Sequence, residues 1–279
     1  MITAVKPTTP TLTHVTASQG LGSVSAVTSL GDDVFVARCY IQQVEVYDAV
    51  TLTLQRRLTV PGLGAYLSGL AACPINICLY ASEYWEDLVY RVELSGSNAV
   101  KKRSVAKCPA GLSVNRKHNL IVTCCAANKL QEYTTHGSFV REICLQAGVA
   151  RPWHAIQLST GDYVVSHYMS PGVVSVVGVD GQVVSRYGLS QTSDVGRMKF
   201  PSSLAVTKNE DILVADQGNN RILSINSSLG SIQELALSVD GGIHVYTPED
   251  LCLDESRGRL YIGEWGGECR VLVFDGVYV

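Results

Sequence analysis

A unit of about 45 residues recurs six times along the 279-residue chain, and that repetition limits the fold more than any other feature. Its clearest copy is DILVADQGNNRILSI, Asp211 to Ile225. The runs RLYIGEWGGECRVLVFD from Arg259, NLIVTCCAANKLQEY from Asn119 and DYVVSHYMSPGVVSV from Asp162 fit the same template. DVFVARCYIQQVEVYD from Asp33 and ICLYASEYWEDLVYRVEL from Ile77 are weaker copies. The apolar position inside each copy falls at Val36, Tyr80, Val122, Val165, Val214 and Ile262, with spacings of 44, 42, 43, 49 and 48.

Each copy follows a short apolar run, often opened by proline, as in PSSLAVT from Pro201, and precedes another alternating run after a Gly or Ser turn. Four short strands rich in Val, Ile, Leu and Tyr, joined by Gly, Asn, Asp and Ser turns, make one antiparallel meander. Such a meander cannot bury both of its faces alone, so the units stack, and radial stacking gives a β-propeller. No stretch sustains a helical apolar period, which excludes a substantial helical layer and leaves a sandwich or barrel tandem as the rival. The expectation is an all-β, six-bladed propeller in one domain, with blades at roughly 20–60, 66–105, 109–146, 152–188, 200–237 and 247–279. The last unit lacks a fourth strand, and TLTHVTAS at 11–18 alternates like one. The N-terminal segment is therefore expected to complete the last blade and close the ring without free sheet edges.

The run FPSSLAVTKNEDILVADQGNNRILSINSSLG at 200–230 resembles an NHL repeat, which joins a proline, a strand reading I-x-V-A-D and the turn G-N-x-R-I. The units at 248–275 and 152–187 resemble more divergent copies. NHL propellers end tripartite-motif (TRIM) ubiquitin ligases, where they recognise protein or RNA, and some are secreted amidating lyases. The resemblance implies a substrate-recognition domain like that of the TRIM proteins. Ligase chemistry would need a RING module, and no RING or B-box cluster occurs in these residues.

Composition narrows the partners. The net charge is −3 with both signs mixed along the chain, so no basic tract points to nucleic acid or membrane. No signal peptide or run of 18 apolar residues is present, and the nine cysteines are odd in number and never spaced as paired C-x₂-C motifs. These features predict a cytoplasmic, monomeric protein with reduced thiols and no cofactor.

Aligning the units sets Arg38, Ser82, Cys124, His167, Asp216 and Glu264 at the end of the second strand. It sets Ser23, Gly69, Gly111, His154, Ser203 and Asp250 at the start of the first. The charged and imidazole members, Arg38, His154, His167, Asp216, Asp250 and Glu264, then ring one channel mouth. Tyr40, Tyr84, Trp85, Trp153, Tyr168 and Trp265 fall on the adjoining turns, where amphipathic rings make efficient contact surface. The expected function is non-catalytic recognition of a protein or peptide on this face. Asp216 reads first as a turn-former and second as a ligand. A metal-dependent hydrolase or lyase is the competing class, with His154, His167 and Asp216 as ligand candidates and Asp194 as a further one. Single-stranded RNA is the other alternative, with Arg38, Lys129, Arg151, Arg221 and Arg270 as its cations.

Overall fold

A computed structural model describes residues 10–15, 22–96, 98–188, 195–226, 231–237 and 243–277. Among these residues all regular structure is β, apart from one 3₁₀ turn at Gln217–Asn219. The strand β1 spans Thr11–Val15. Blade 1 holds β2 (Val24–Leu30), β3 (Asp33–Arg38), β4 (Gln43–Asp48) and β5 (Leu54–Thr59). Blade 2 holds β6 (Leu67–Cys73), β7 (Cys78–Glu83), β8 (Leu88–Glu93) and β9 (Val100–Ser104). Blade 3 holds β10 (Pro109–Val114), β11 (Leu120–Cys124), β12 (Lys129–Tyr133) and β13 (Phe139–Cys144). Blade 4 holds β14 (Pro152–Gln157), β15 (Tyr163–His167), β16 (Val173–Val177) and β17 (Val183–Tyr187). Blade 5 holds β18 (Pro201–Val206), β19 (Ile212–Asp216), β20 (Arg221–Ile225) and β21 (Ile232–Glu234). Blade 6 holds β22 (Pro248–Asp254), β23 (Arg259–Glu264) and β24 (Val271–Asp275).

Six four-stranded antiparallel sheets result, each in meander order. The sixth runs β1-β24-β23-β22, with Leu12 opposite Phe274 and Thr11 opposite Asp275. The N-terminal strand thus supplies the outer strand of the last blade, as the missing fourth strand implied; residues 16–18 of the expected segment lie outside the described residues.

The core divides into six apolar clusters, one between each pair of neighbouring blades. The period-2 geometry of the second strands explains this division. In β3, Val34 and Val36 pack toward blade 6 while Phe35 and Ala37 pack toward blade 2. In β19, Ile212 and Val214 face blade 4 while Leu213 and Ala215 face blade 6. A strand buried on both faces reads as a continuous apolar run, which is why IVTC and ILVA look unbroken in the sequence.

Polar ties cross the closure. Arg38 Nη1 donates to the Cys269 carbonyl at 2.6 Å, the Arg259 guanidinium reaches the Ala49 carbonyl, and Val27 N–H donates to Asp250 Oδ2 at 2.7 Å. Removing residues 1–18 deletes β1 and leaves the edge of β24 open. We expect the truncated protein to melt about 5–10 °C lower and to self-associate, because an open strand edge templates pairing. Thermal denaturation and sedimentation check this; an unchanged melting point with a monodisperse monomer would show that blade 6 does not need its fourth strand.

Candidate functional site

The innermost strand of every blade carries one residue more than its partner. In each case the pairing shifts after the first residue: Val24 pairs Arg38 but Ala26 pairs Ala37, and Pro201 pairs Asp216 but Leu204 pairs Val214. The same bulge recurs in β6, β10, β14 and β22. A bulge bends the strand and re-aims its side chains, here into the central channel. The bulged pairs are Ser25–Ala26, Ser68–Gly69, Ala110–Gly111, Trp153–His154, Ser202–Ser203 and Glu249–Asp250. Neighbouring inner strands approach closely at this level, so a Cβ on Gly111 would lie 2.7 Å from the Trp153 carbonyl oxygen. Only blades 4 and 6 place large or charged side chains here, and these face each other across a narrow cavity lined also by Ser25, Ser68 and Ser203.

This register corrects two positions of the sequence alignment. Glu83, not Ser82, ends the second strand of blade 2, since Leu67 pairs Glu83. Ala26, not Ser23, matches His154 and Asp250. Ser82 instead donates its hydroxyl to the Ala110 carbonyl at 2.9 Å, tying blade 2 to blade 3.

The side chains that end the second strands are buried and committed inward. Asp216 Oδ1 accepts the Lys199 N–H at 2.7 Å, and its Oδ2 accepts from Arg221 Nε and Asn219 Nδ2, both at 2.8 Å. Asp216 therefore latches the loop entering its blade to the start of β20 and does not cap its own turn. Glu264 repeats the device: Oε1 accepts the Tyr246 N–H at 2.8 Å and Oε2 accepts from Arg270 Nε at 2.8 Å. Glu83 accepts the Tyr66 N–H at 3.2 Å, and burial raises its pKa to about 7. Blade 1 reverses the charges, with Arg38 donating to Glu45 at 2.8 Å. His167 is buried, its Nε2 has no hydrogen-bond partner, and burial together with the Arg186 charge lowers its pKa to about 4.

His154 is occupied on both ring nitrogens. Nδ1 accepts the Leu204 N–H at 3.0 Å, which assigns the proton to Nε2, and Nε2 donates to the Leu112 carbonyl at 3.0 Å. Burial lowers its pKa to about 4. Asp250, partly open to the channel, is raised to about 6 by loss of solvent. Glu249, absent from the sequence-based candidates, is buried beside Asp250. Burial and then the charge of Asp250 raise its pKa to about 8, against the lowering effect of the neighbouring Trp153 side chain and of the Gln217 amide, which donates to it. Gln217 Oε1 in turn accepts the Tyr168 hydroxyl at 2.8 Å. Among the described residues no three His, Cys, Asp or Glu side chains come together as a metal-ligand group. Asp194 lies outside the described residues.

Above this network lies a continuous aromatic face. Trp153 stacks on Tyr168 with ring centroids 4.6 Å apart, and Tyr168 meets Phe200 at 5.3 Å. In the other direction Trp153 meets Tyr84 at 5.9 Å, Tyr84 meets Tyr66 at 5.8 Å, and Tyr66 meets Trp265 at 5.9 Å. Trp85 packs edge-on against Tyr84 at 4.9 Å and is 69% exposed. The ring path runs from blade 6 through blade 2 to blades 4 and 5, so it crosses the channel mouth. Tyr40, 76% exposed, projects from the turn after β3. Of the twelve residues expected on this face, Tyr84, Trp85, Trp153, Tyr168 and Trp265 meet in this path. Tyr40 stands apart, Asp250 lies in the channel, and Arg38, His154, His167, Asp216 and Glu264 are buried beneath. Tyr66 and Phe200 belong to the path without having been singled out; each precedes an inner strand, and Tyr66 is marked by its N–H bond to Glu83 and by accepting the Tyr84 N–H at 3.2 Å.

Two variants test this account. Asp216→Ala should cost about 3 kcal/mol or more, since Arg221 then loses a buried carboxylate, and chemical denaturation checks it; a neutral result would leave Asp216 free for ligand work. For Glu249 the folded pKa near 8 exceeds the ordinary 4.5, so its stabilising balance is complete below 4.5 and is lost as pH rises toward 8. Glu249→Gln should therefore gain on the order of 3 kcal/mol at pH 7 and almost nothing at pH 4, read by denaturation at both; an equal change at both pH values would contradict the buried-acid reading.

No protein-family model matches the chain, and no curated protein sequence matches it. Solved structures do. A streptogramin B lyase superposes with a TM-score of 0.65 at 14% identity, covering 94% of this chain and 97% of that one. A virginiamycin B lyase from Staphylococcus aureus gives 0.64 at 14% identity over 91% and 82% of the two chains. The hydrazine synthase of Kuenenia stuttgartiensis gives 0.66 at 14% identity over 94% and 97%. At such identity the likeness is one of fold: this chain is a six-bladed β-propeller similar in architecture to those proteins.

Proposed function

We propose that the propeller is a recognition scaffold that binds a protein or peptide segment across the aromatic face, as NHL domains of TRIM proteins do. The observation that carries this reading is the unbroken ring path from Trp265 to Phe200, with Trp85 and Tyr40 standing out of it. Exposed Trp and Tyr side chains offer large contact area at low conformational cost and dominate binding hot spots. The Glu249–Gln217–Tyr168 hydrogen bonds and the stack of Trp153 on Tyr168 fix the centre of the face before any ligand arrives, which lowers the entropy lost on binding.

The two other readings draw less support. The neighbours named as lyases favour enzymatic work in principle, but both nitrogens of His154 and both oxygens of Asp216 are spent on internal bonds. For RNA, four of the five expected cations, Arg38, Lys129, Arg221 and Arg270, each pair with a carboxylate, and Arg151 alone of that set has no such ion pair among the described residues.

Selection of peptides from a displayed random library on the intact propeller tests the proposal. Enriched peptides should bind the wild type and lose about tenfold or more in affinity to Trp85→Ala and to Tyr40→Ala, with melting points unchanged because both side chains are exposed. Failure to enrich any sequence, or equal binding to both variants, would reject the aromatic face as the recognition surface.

A further inference from the structure

The repeats supply an internal control for every position. At the rung of the sheet set by Val36, Tyr80, Val122, Val165 and Val214, the third and fourth strands oppose Glu45 to Arg57, Gln131 to Glu142, Ser175 to Arg186 and Leu223 to Glu234. Blade 2 alone opposes two cations there, Arg91 to Lys101, with Arg103 two rungs away on the same face, opposite Val89. Like charges directly opposite each other in a sheet are destabilising. Their shared face turns toward blade 3, because Tyr80 and Val89 of the same face pack in the cluster between those blades.

A slot partly open to solvent lies between blades 2 and 3 over these residues. Its apolar side includes Val89, Val105 and Leu120, and its basic side includes Arg91, Lys101, Lys102 and Arg103. Among the described residues no Asp or Glu lines it. Glu93, two residues along β8, pairs with Arg91, while the buried Nε of Arg91 has no hydrogen-bond partner. Arg103 is held in place: its guanidinium lies 4.7 Å over the Tyr133 ring and packs on Gly137, where a Cβ would come within 2.3 Å of Nη2. Gly137 has φ 92°, a conformation that glycine adopts without penalty. The slot runs from Val105, whose N–H donates to the Asp87 carbonyl, to the Tyr133 end of β12.

We propose that this slot binds a small organic phosphomonoester. Its dianionic group sits among Arg91, Lys101 and Arg103, and its apolar body lies on Val89, Val105 and Leu120. A dianion removes the repulsion between the opposed cations, and guanidinium groups match phosphate oxygens in geometry. The apolar side makes a free inorganic anion the poorer ligand.

Phenyl phosphate is the probe, with phenol and inorganic phosphate as comparators, titrated calorimetrically into the intact protein at low salt. Saturable binding of phenyl phosphate is expected, with weaker binding of both comparators and weakening as salt rises. Lys101→Glu turns the opposed pair into a complementary one, so it should raise the melting point of the ligand-free protein and weaken phenyl phosphate about tenfold or more. Arg103→Gln should weaken binding without that gain in stability. The proposal falls if phenyl phosphate fails to saturate at millimolar concentration, if either variant binds it as the wild type does, if inorganic phosphate binds as tightly, or if Lys101→Glu lowers the melting point. Because Lys101 and Arg103 lie outside the aromatic path and Trp85 and Tyr40 do not line the slot, the peptide selection and this titration fail independently.

Discussion

Six inner strands meet around one axis, and each must deliver side chains into a space too narrow for a regular pleat. The recurrent bulge resolves this conflict. One extra residue at the same place in each inner strand turns two side chains toward the channel while the rest of the strand keeps its alternation into the blade interfaces. Small residues then become a requirement in blades 2 and 3, where the neighbouring backbone sits within 3 Å of the Cβ positions of Gly69 and Gly111. That economy leaves room for Trp153, His154, Glu249 and Asp250 in blades 4 and 6. The aromatic face rests on what those four residues do below it.

A second recurrent position shows how one mechanical need can be met by different chemistry. The end of the second strand must hold the loop that enters the blade. Asp216, Glu264 and Glu83 do so by accepting its backbone N–H, and Arg270 and Arg221 neutralise two of the three carboxylates. Arg38 performs the converse task, donating to the Gly22 and Cys269 carbonyls while Glu45 balances its charge. Charged residues at equivalent positions of a repeat are therefore poor evidence of a site when each has an internal partner. Buried ion pairs of this kind stabilise little but are costly to break, which suits a latch.

The fold was legible because its signal is periodic and additive. Val36, Tyr80, Val122, Val165, Val214 and Ile262 all lie in second strands buried on both faces, so even weak copies align at their apolar centres. The ring closure was legible from a strand lacking at one end and spare at the other. Site details were less so, since they depend on bulges and on residues outside the alternation. A one-residue slip exchanged Ser82 for Glu83, which bear opposite relations to the channel. Glu249 was passed over for its neighbour Asp250 because nothing in PEDL tells that a bulge turns both of these adjacent acids toward the channel. Phe200, at φ 52°, and Tyr66 sit just before inner strands, where no period indexes a side chain.

Departures from the repeat carry more information than matches to it, provided that each departure is tested for an internal partner. Arg38 departs in charge but finds Glu45, and His154 departs in type but finds two backbone groups. The residues left over after that test are of two kinds. At one end of the blades they are the rings of Trp85 and Tyr40, which no neighbour covers. On the outer strands of blade 2 they are Lys101, opposite Arg91, and Arg103, which has a ring but no carboxylate for a partner. The twelve sheet faces of the ring are packed without either group, which is why the two proposals rest on them.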